Sequence, residues 1–208
     1  CEMSKEYTKV CVMDADIMFQ NKEWYSTISS SLNQFTVCHP FKESIWLDKK
    51  YKCINSNKSI LEIPGDDINR DRGHPGFIWA FNKEWLSENK LFELCLIGGG
   101  DTIFASSILN LPHRKVWMNE SYTEYLKTFN KPSHIGNIDL TVFHLYHGKI
   151  SNRQYDLRNK LMNDLLSFYN FADVSQLVEK TNCGLLKWKD EFKHKCNDVL
   201  LKYFKNRK

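Results

Sequence analysis

The stretch "KVCVMDADIMF", residues 9–19, begins as an apolar β-run, sets two carboxylates two positions apart at Asp14 and Asp16, and then turns apolar again. Val10, Val12 and Met13 make residues 9–14 read as a buried strand. Side chains two apart on extended backbone point the same way, so Asp14 and Asp16 converge if the strand continues through them. Two acids so close repel each other and cost stability unless a positive charge lies between them. At the C-terminal end of a strand in an open α/β sheet they face the crevice where such sheets bind ligands. Two hard oxygen donors on one short turn suit Mg²⁺ or Mn²⁺, with phosphate oxygens completing the shell. A solvated turn after a strand is the plainer alternative, because D-x-D alone is a weak signal.

Working outward, "NKEWYSTISSSLNQF" (21–35) reads as a short helix with Trp24, Ile28 and Leu32 four apart. "TVCHPF" (36–41) reads as a second strand, and residues 43–72, polar and ending in "PGDDINRDRG", as a surface loop. "HPGFIWAF" (74–81) is a strand entered through Pro75 and Gly76, and "NKEWLSENKLF" a short helix with its exit. In "LCLIGGGDTIFASSILN" an apolar strand or turn leads through three glycines to a helix beginning at or near Asp101. "IDLTVFHLYHG" (138–148) is strand-like. Two amphipathic helices follow, at about 154–169 and 189–205. The pattern is that of an α/β domain over 1–150 with a helical extension over 151–208.

Composition sets outer limits. The chain has 208 residues, enough to bury a sizeable core, with 42% apolar and 26% charged residues. No run approaches a membrane span, the start is not signal-like, and the first residue is Cys, so the chain reads as a fragment of a longer one. The net charge of +4 comes largely from the C-terminal stretch, and no basic stripe interleaves with aromatics, which disfavours nucleic-acid binding. Seven cysteines at 1, 11, 38, 53, 95, 183 and 196 show neither C-x-x-C pairs nor zinc spacing. Free thiols are expected, with a cytoplasmic setting favoured, and Cys11 and Cys95 as small core residues.

Three further stretches carry chemistry. His144 and His147 in "FHLYHG" are three apart, so both reach one ion only if the backbone turns, which Gly148 permits; otherwise one is core and one surface. Asp101 after Gly99 and Gly100 is either a helix N-cap or a general base for a sugar hydroxyl. In "GHPGFIWAF", Gly76 shapes a turn and Trp79 is either core or an apolar platform for a sugar face.

The order of these elements (strand–DxD, then G-x-x-G-x-x-W, then G-G-G-D at a helix start, then H-x-x-H) resembles the metal-dependent glycosyltransferases of GT-A fold, in particular the galactosyltransferase-like branch with its viral and bacterial members. The resemblance covers roughly residues 9–160 and implies the C-terminal part of a GT-A, Rossmann-like domain without its N-terminal nucleotide-binding half, since only thirteen residues precede the DxD. It implies Mn²⁺ (or Mg²⁺) held by Asp16, with Asp14 on metal or ribose, His147 as the metal histidine, and His144 where that branch has a methionine. It further implies Asp101 as the base, and Gly76, Trp79, Gly99, Gly100, Arg153 and Arg158 in donor or acceptor binding. The donor implied is a nucleotide-sugar, most simply a UDP-sugar, and the acceptor a hydroxyl of a glycan or glycoprotein. Hexosyl or N-acetylhexosaminyl transfer would proceed with inversion. Two alternatives stay open: a metal-dependent phosphohydrolase or nucleotidyltransferase, and a non-catalytic carbohydrate-binding remnant.

Overall fold

A computed structural model describes residues 6–63, 73–111 and 116–205. The class is α/β, with mixed sheets. The chain separates into two compact units: Cys1–Leu91, Gly99–His113 and Phe129–His147 form the first, and Phe92–Gly98, Arg114–Thr128 and Gly148–Lys208 the second.

The first unit holds two four-stranded sheets. Strands β1 (Lys9–Met13), β3 (Val37–His39), β6 (Ile78–Asn82) and β7 (Ile135–Asn137) make one, in the order β1-β6-β3-β7, with only β3 and β7 parallel. Strands β2 (Ile17–Phe19), β4 (Glu43–Leu47), β5 (Cys53–Lys58) and β8 (Thr141–His144) make the other, in the order β2-β8-β4-β5, with β4 and β8 parallel. Helices α1 (Trp24–Ser31), α2 (Lys83–Asn89) and α3 (Gly100–Leu109) belong to this unit. The D-A-D segment is the link between sheets: β1 ends in the first at Met13, and β2 begins the second at Ile17, with three residues between them.

Two apolar clusters fill the unit. Ile28, Cys38, Phe41, Ile78, Leu140 and Val142 pack in one; Val37, Trp79, Phe81, Trp85, Phe104 and Ile108 in the other. Val37 and Cys38 face opposite clusters, as the period of two in a strand requires. α3 is buried along most of its length, from Ile103 to Ile108, and its Ser106 and Ser107 hydroxyls turn back to the carbonyls of Thr102 and Ile103, 2.8 and 2.9 Å away.

Several sequence expectations change here. β1 is a strand but not a buried one: among the described residues it pairs only with β6, so Val12 and Met13 are about half exposed and Cys11 is exposed, not core. Cys95 is only half-buried. Residues 43–58 form the β4–β5 hairpin in place of a loop, with Ser44 and Trp46 inward on β4. Its second strand, "CINSNK", lies at the sheet edge with mainly exposed side chains, so it has no apolar alternation to read. The stretch 64–72, expected as loop, lies outside the described residues.

The second unit contains α4 (Asn119–Thr128), α5 (Tyr155–Tyr169), the hairpin β9 (Val178–Lys180) and β10 (Leu186–Trp188), and α6 (Lys193–Lys205). Met162, Leu165 and Leu166 of α5 and Cys196 and Tyr203 of α6 are buried. Asp173 is fully buried; burial alone would raise its pKa, but Ser121 and Ser175 donate to its carboxylate and hold it below the usual range. None of the six described cysteines forms a disulfide, and no helix among the described residues is long and apolar enough to cross a membrane.

Candidate metal centre

The β2–β8 register decides the site. Ile17 lies opposite His144, and the Leu145 amide donates to the Asp16 carbonyl at 2.8 Å, so Asp16 meets the end of β8. The chain leaves strand geometry after His144, and Gly148 takes a φ of +122°, open to Gly and strained for other residues. His147 thereby comes round to the same point. Its Nε2 lies 2.9 Å from Asp16 Oδ2 and 3.2 Å from His144 Nε2, and His144 Nε2 lies 3.6 Å from the same Oδ2.

These three atoms form a nearly equilateral triangle whose equidistant point is about 1.9 Å from each, so an ion just above the plane reaches ordinary first-row metal bond lengths of about 2.0–2.2 Å. A proton on His147 Nε2 satisfies one of its two short contacts; a cation satisfies all three corners. The second carboxylate oxygen, Asp16 Oδ1, is buried without a hydrogen-bond partner, an arrangement less costly when the carboxylate's charge is offset by an ion. Two imidazoles and one carboxylate suit Mn²⁺, Fe²⁺ or Zn²⁺ better than Mg²⁺. The residues fit a divalent cation.

Aromatic packing fixes the inner histidine. The His144 ring lies 4.2 Å from the Trp46 ring and 5.0 Å from that of Phe77, and its side chain is only 5% exposed, against 39% for His147. One corner is thus rigid and buried while another faces solvent.

Asp14 is not part of this cluster. The D-A-D segment is a turn, not extended backbone, so the convergence expected from a period of two does not arise. The Asp14 amide donates to the Phe77 carbonyl at 2.8 Å, while its side chain is exposed.

Asp101 stands in the first turn of α3, and the N-cap position belongs to Gly99, with a φ of +88°. Its Oδ1 accepts from the Thr102 amide at 2.8 Å. Its Oδ2 lies against Gly76 so closely that a Cβ there would come within 2.4 Å of it. Gly76 is therefore the floor under this carboxylate, not merely a turn former. Phe77, the next residue, has a φ of +76°, a conformation bulky residues avoid, and its ring stacks on His74 at 3.7 Å. Gly76 and Phe77, adjacent in sequence, touch Asp101 and His144 respectively.

The floor is held from below by His39, which sequence reading missed. Its Nε2 lies 2.9 Å from the Gly76 carbonyl and its Nδ1 2.7 Å from Ser59 Oγ. A carbonyl only accepts, so Nε2 carries the proton, Nδ1 is the acceptor, and the Ser59 hydroxyl donates. Burial pushes the His39 pKa down to about 3; the Gly76 carbonyl opposes this and His74 adds to it. The unfolded chain takes up this proton near pH 6.5 and the folded one only near 3, so His39 favours folding above 6.5 and its contribution is lost as pH falls between those values. The expected slope is about 1.4 kcal/mol per pH unit within that window. Unfolding free energies of wild type and His39→Gln, from denaturant titrations at several pH values, should differ in slope by that amount; parallel curves would contradict a neutral buried imidazole.

Trp79 is a correction. It is 5% exposed, stacks on His39 at 4.2 Å, and its indole N–H donates to the Pro75 carbonyl at 2.8 Å, so it is core and not a sugar platform. Gly100 opens α3. Arg153 and Arg158 lie in the second unit, where Arg153 Nη1 donates to the Tyr155 hydroxyl at 2.9 Å. The Arg158 guanidinium sits over the Tyr155 ring at 4.8 Å and donates to the Ile97 carbonyl at 3.3 Å. No family model, curated protein or solved structure matches the chain in comparisons of its sequence and fold.

Proposed function

We propose that the chain is a metal-dependent glycosyltransferase that moves a sugar from a nucleoside-diphosphate donor, most simply a UDP-sugar, to an acceptor hydroxyl with inversion. The observation that supports this most is the meeting of Asp16, His144 and His147 at one point, from segments more than a hundred residues apart. A second carboxylate, Asp101, has one oxygen anchored by a backbone amide and the other against Gly76, whose neighbour Phe77 lies 5.0 Å from His144 ring to ring.

Asp16 and the two histidines would hold Mn²⁺. Bound there, the ion supplies positive charge to the leaving diphosphate. Asp101 is positioned as the base: Oδ1 is occupied by the Thr102 amide, leaving Oδ2 over Gly76 to take the proton of the attacking hydroxyl. Gly76 admits the carboxylate and His39 fixes the Gly76 carbonyl. Asp14, exposed and two residues before Asp16, would contact a ribose hydroxyl of the donor.

The test is a panel of nucleotide sugars with Mn²⁺, scored by nucleoside diphosphate release and by thermal stabilisation. A ligand at about a hundred times its Kd adds about 2.7 kcal/mol, or roughly 5–11 °C in Tm for a chain of this size. Mn²⁺-dependent release that rises with a sugar acceptor is the expected result. Release of inorganic phosphate with no acceptor dependence would assign a phosphohydrolase instead. The two-histidine, one-carboxylate set also serves oxygen-activating Fe²⁺ enzymes, so oxygen consumption with Fe²⁺ and no diphosphate release would overturn the reading.

A further inference from the structure

The last ten residues, "VLLKYFKNRK", contain four cations and no acid, a net +4 equal to that of the whole chain. The described part of this stretch belongs to α6. Cys196 and Tyr203 bury one side of the helix. At 100° per residue, Leu201 and Phe204 fall 100° or more from Tyr203 around the axis, and they are 54% and 52% exposed. Lys202 and Lys205 are exposed beside them. An ordinary surface helix shows polar groups on this side. Here two large apolar side chains stand in solvent with Lys202 and Lys205 beside them, and the one acid on this side, Asp198, lies one turn back within 3.6 Å of His194.

We infer that the C-terminal half of α6 docks on an anionic phospholipid surface, with Leu201 and Phe204 entering the headgroup boundary and Lys202 and Lys205 lying among the lipid phosphates. Both halves of the chemistry are needed. A nucleic acid or other soluble polyanion offers the lysines a partner but gives an aliphatic Leu201 nothing to enter, whereas a bilayer offers both. Charge complementarity selects the anionic leaflet, since a zwitterionic surface has no net potential to attract four cations. Two apolar side chains and a few lysines give reversible, salt-sensitive association, not insertion. No part of this depends on the metal centre or on the proposed reaction.

The experiment is sedimentation of the full chain with vesicles of phosphatidylcholine alone or with about 30 mol % phosphatidylserine. Binding is expected only to the second, and should fall as salt rises from about 0.1 M to about 0.5 M. Lys202→Gln with Lys205→Gln should weaken it roughly thirtyfold, and Leu201→Ser with Phe204→Ser at least tenfold. All four positions are exposed, so both double variants should keep the wild-type Tm, which circular dichroism checks. Equal binding to both vesicles, no binding, or binding that either double variant leaves intact would overturn the inference. Retention on heparin that survives Leu201→Ser with Phe204→Ser, without vesicle binding, would assign the patch to a soluble polyanion and overturn it equally.

Discussion

Asp101→Asn is expected to lower the turnover of Mn²⁺-dependent transfer by roughly 10²–10⁴, the usual contribution of a positioned general base. Asn keeps the size of Asp and still accepts from the Thr102 amide, so fold and donor KM should change little. The deficit belongs in kcat. Gly76→Ala should reproduce much of it by another route, because its Cβ would meet Asp101 Oδ2 at 2.4 Å and push the carboxylate off its floor. Steady-state kinetics on both variants checks this. Full activity in Asp101→Asn would remove the base from the mechanism, whatever the fate of Gly76→Ala.

Asp16→Ala has the largest expected effect on metal binding. Outer partners of metal ligands are already worth about 10–100-fold in affinity, so loss of the carboxylate itself should weaken Mn²⁺ by about a hundredfold or more. The metal-free protein should behave differently. Removing the carboxylate relieves the cost of the buried, unpartnered Oδ1 and forfeits the 2.9 Å contact of Oδ2 with the partly exposed His147, and the two offset, leaving apo stability close to wild type. The signature is therefore a Tm nearly unchanged without metal and a Mn²⁺-induced rise that disappears. Titration calorimetry and thermal melts separate the two. A retained Mn²⁺ response in Asp16→Ala would place the cation elsewhere.

The two long helices of the second unit were legible because burial on one side writes a helical period into the sequence: Leu157, Leu161, Met162, Leu165 and Leu166 in α5, and Phe192, Cys196, Val199, Leu200 and Tyr203 around α6; Phe204, read on that same face, is instead 52% exposed. The β4–β5 hairpin was not, because an edge strand with solvent on most of its side chains has no reason to alternate. β1 misled in the opposite sense, being apolar and yet exposed at an edge.

At the site, the type of residue was legible and its geometry was not. Asp16, His144 and His147 stood out as metal-ligating types, but the reason first given for the acids, extended backbone with both on one side, fails at a turn. What joins them is the pairing of β2 with β8, a non-local register that no local pattern carries. His39 and Ser59 were invisible for the same reason. A histidine in "TVCHPF" looks like any strand residue until the fold brings Gly76 to it across thirty-seven positions.

Anomalous diffraction from crystals grown with Mn²⁺ tests the central claim most directly. The expected result is one strong peak about 2.0–2.3 Å from Asp16 Oδ2, His144 Nε2 and His147 Nε2. Ordered side chains at all three positions with no peak between them at saturating Mn²⁺, or a peak held by other residues, would contradict it.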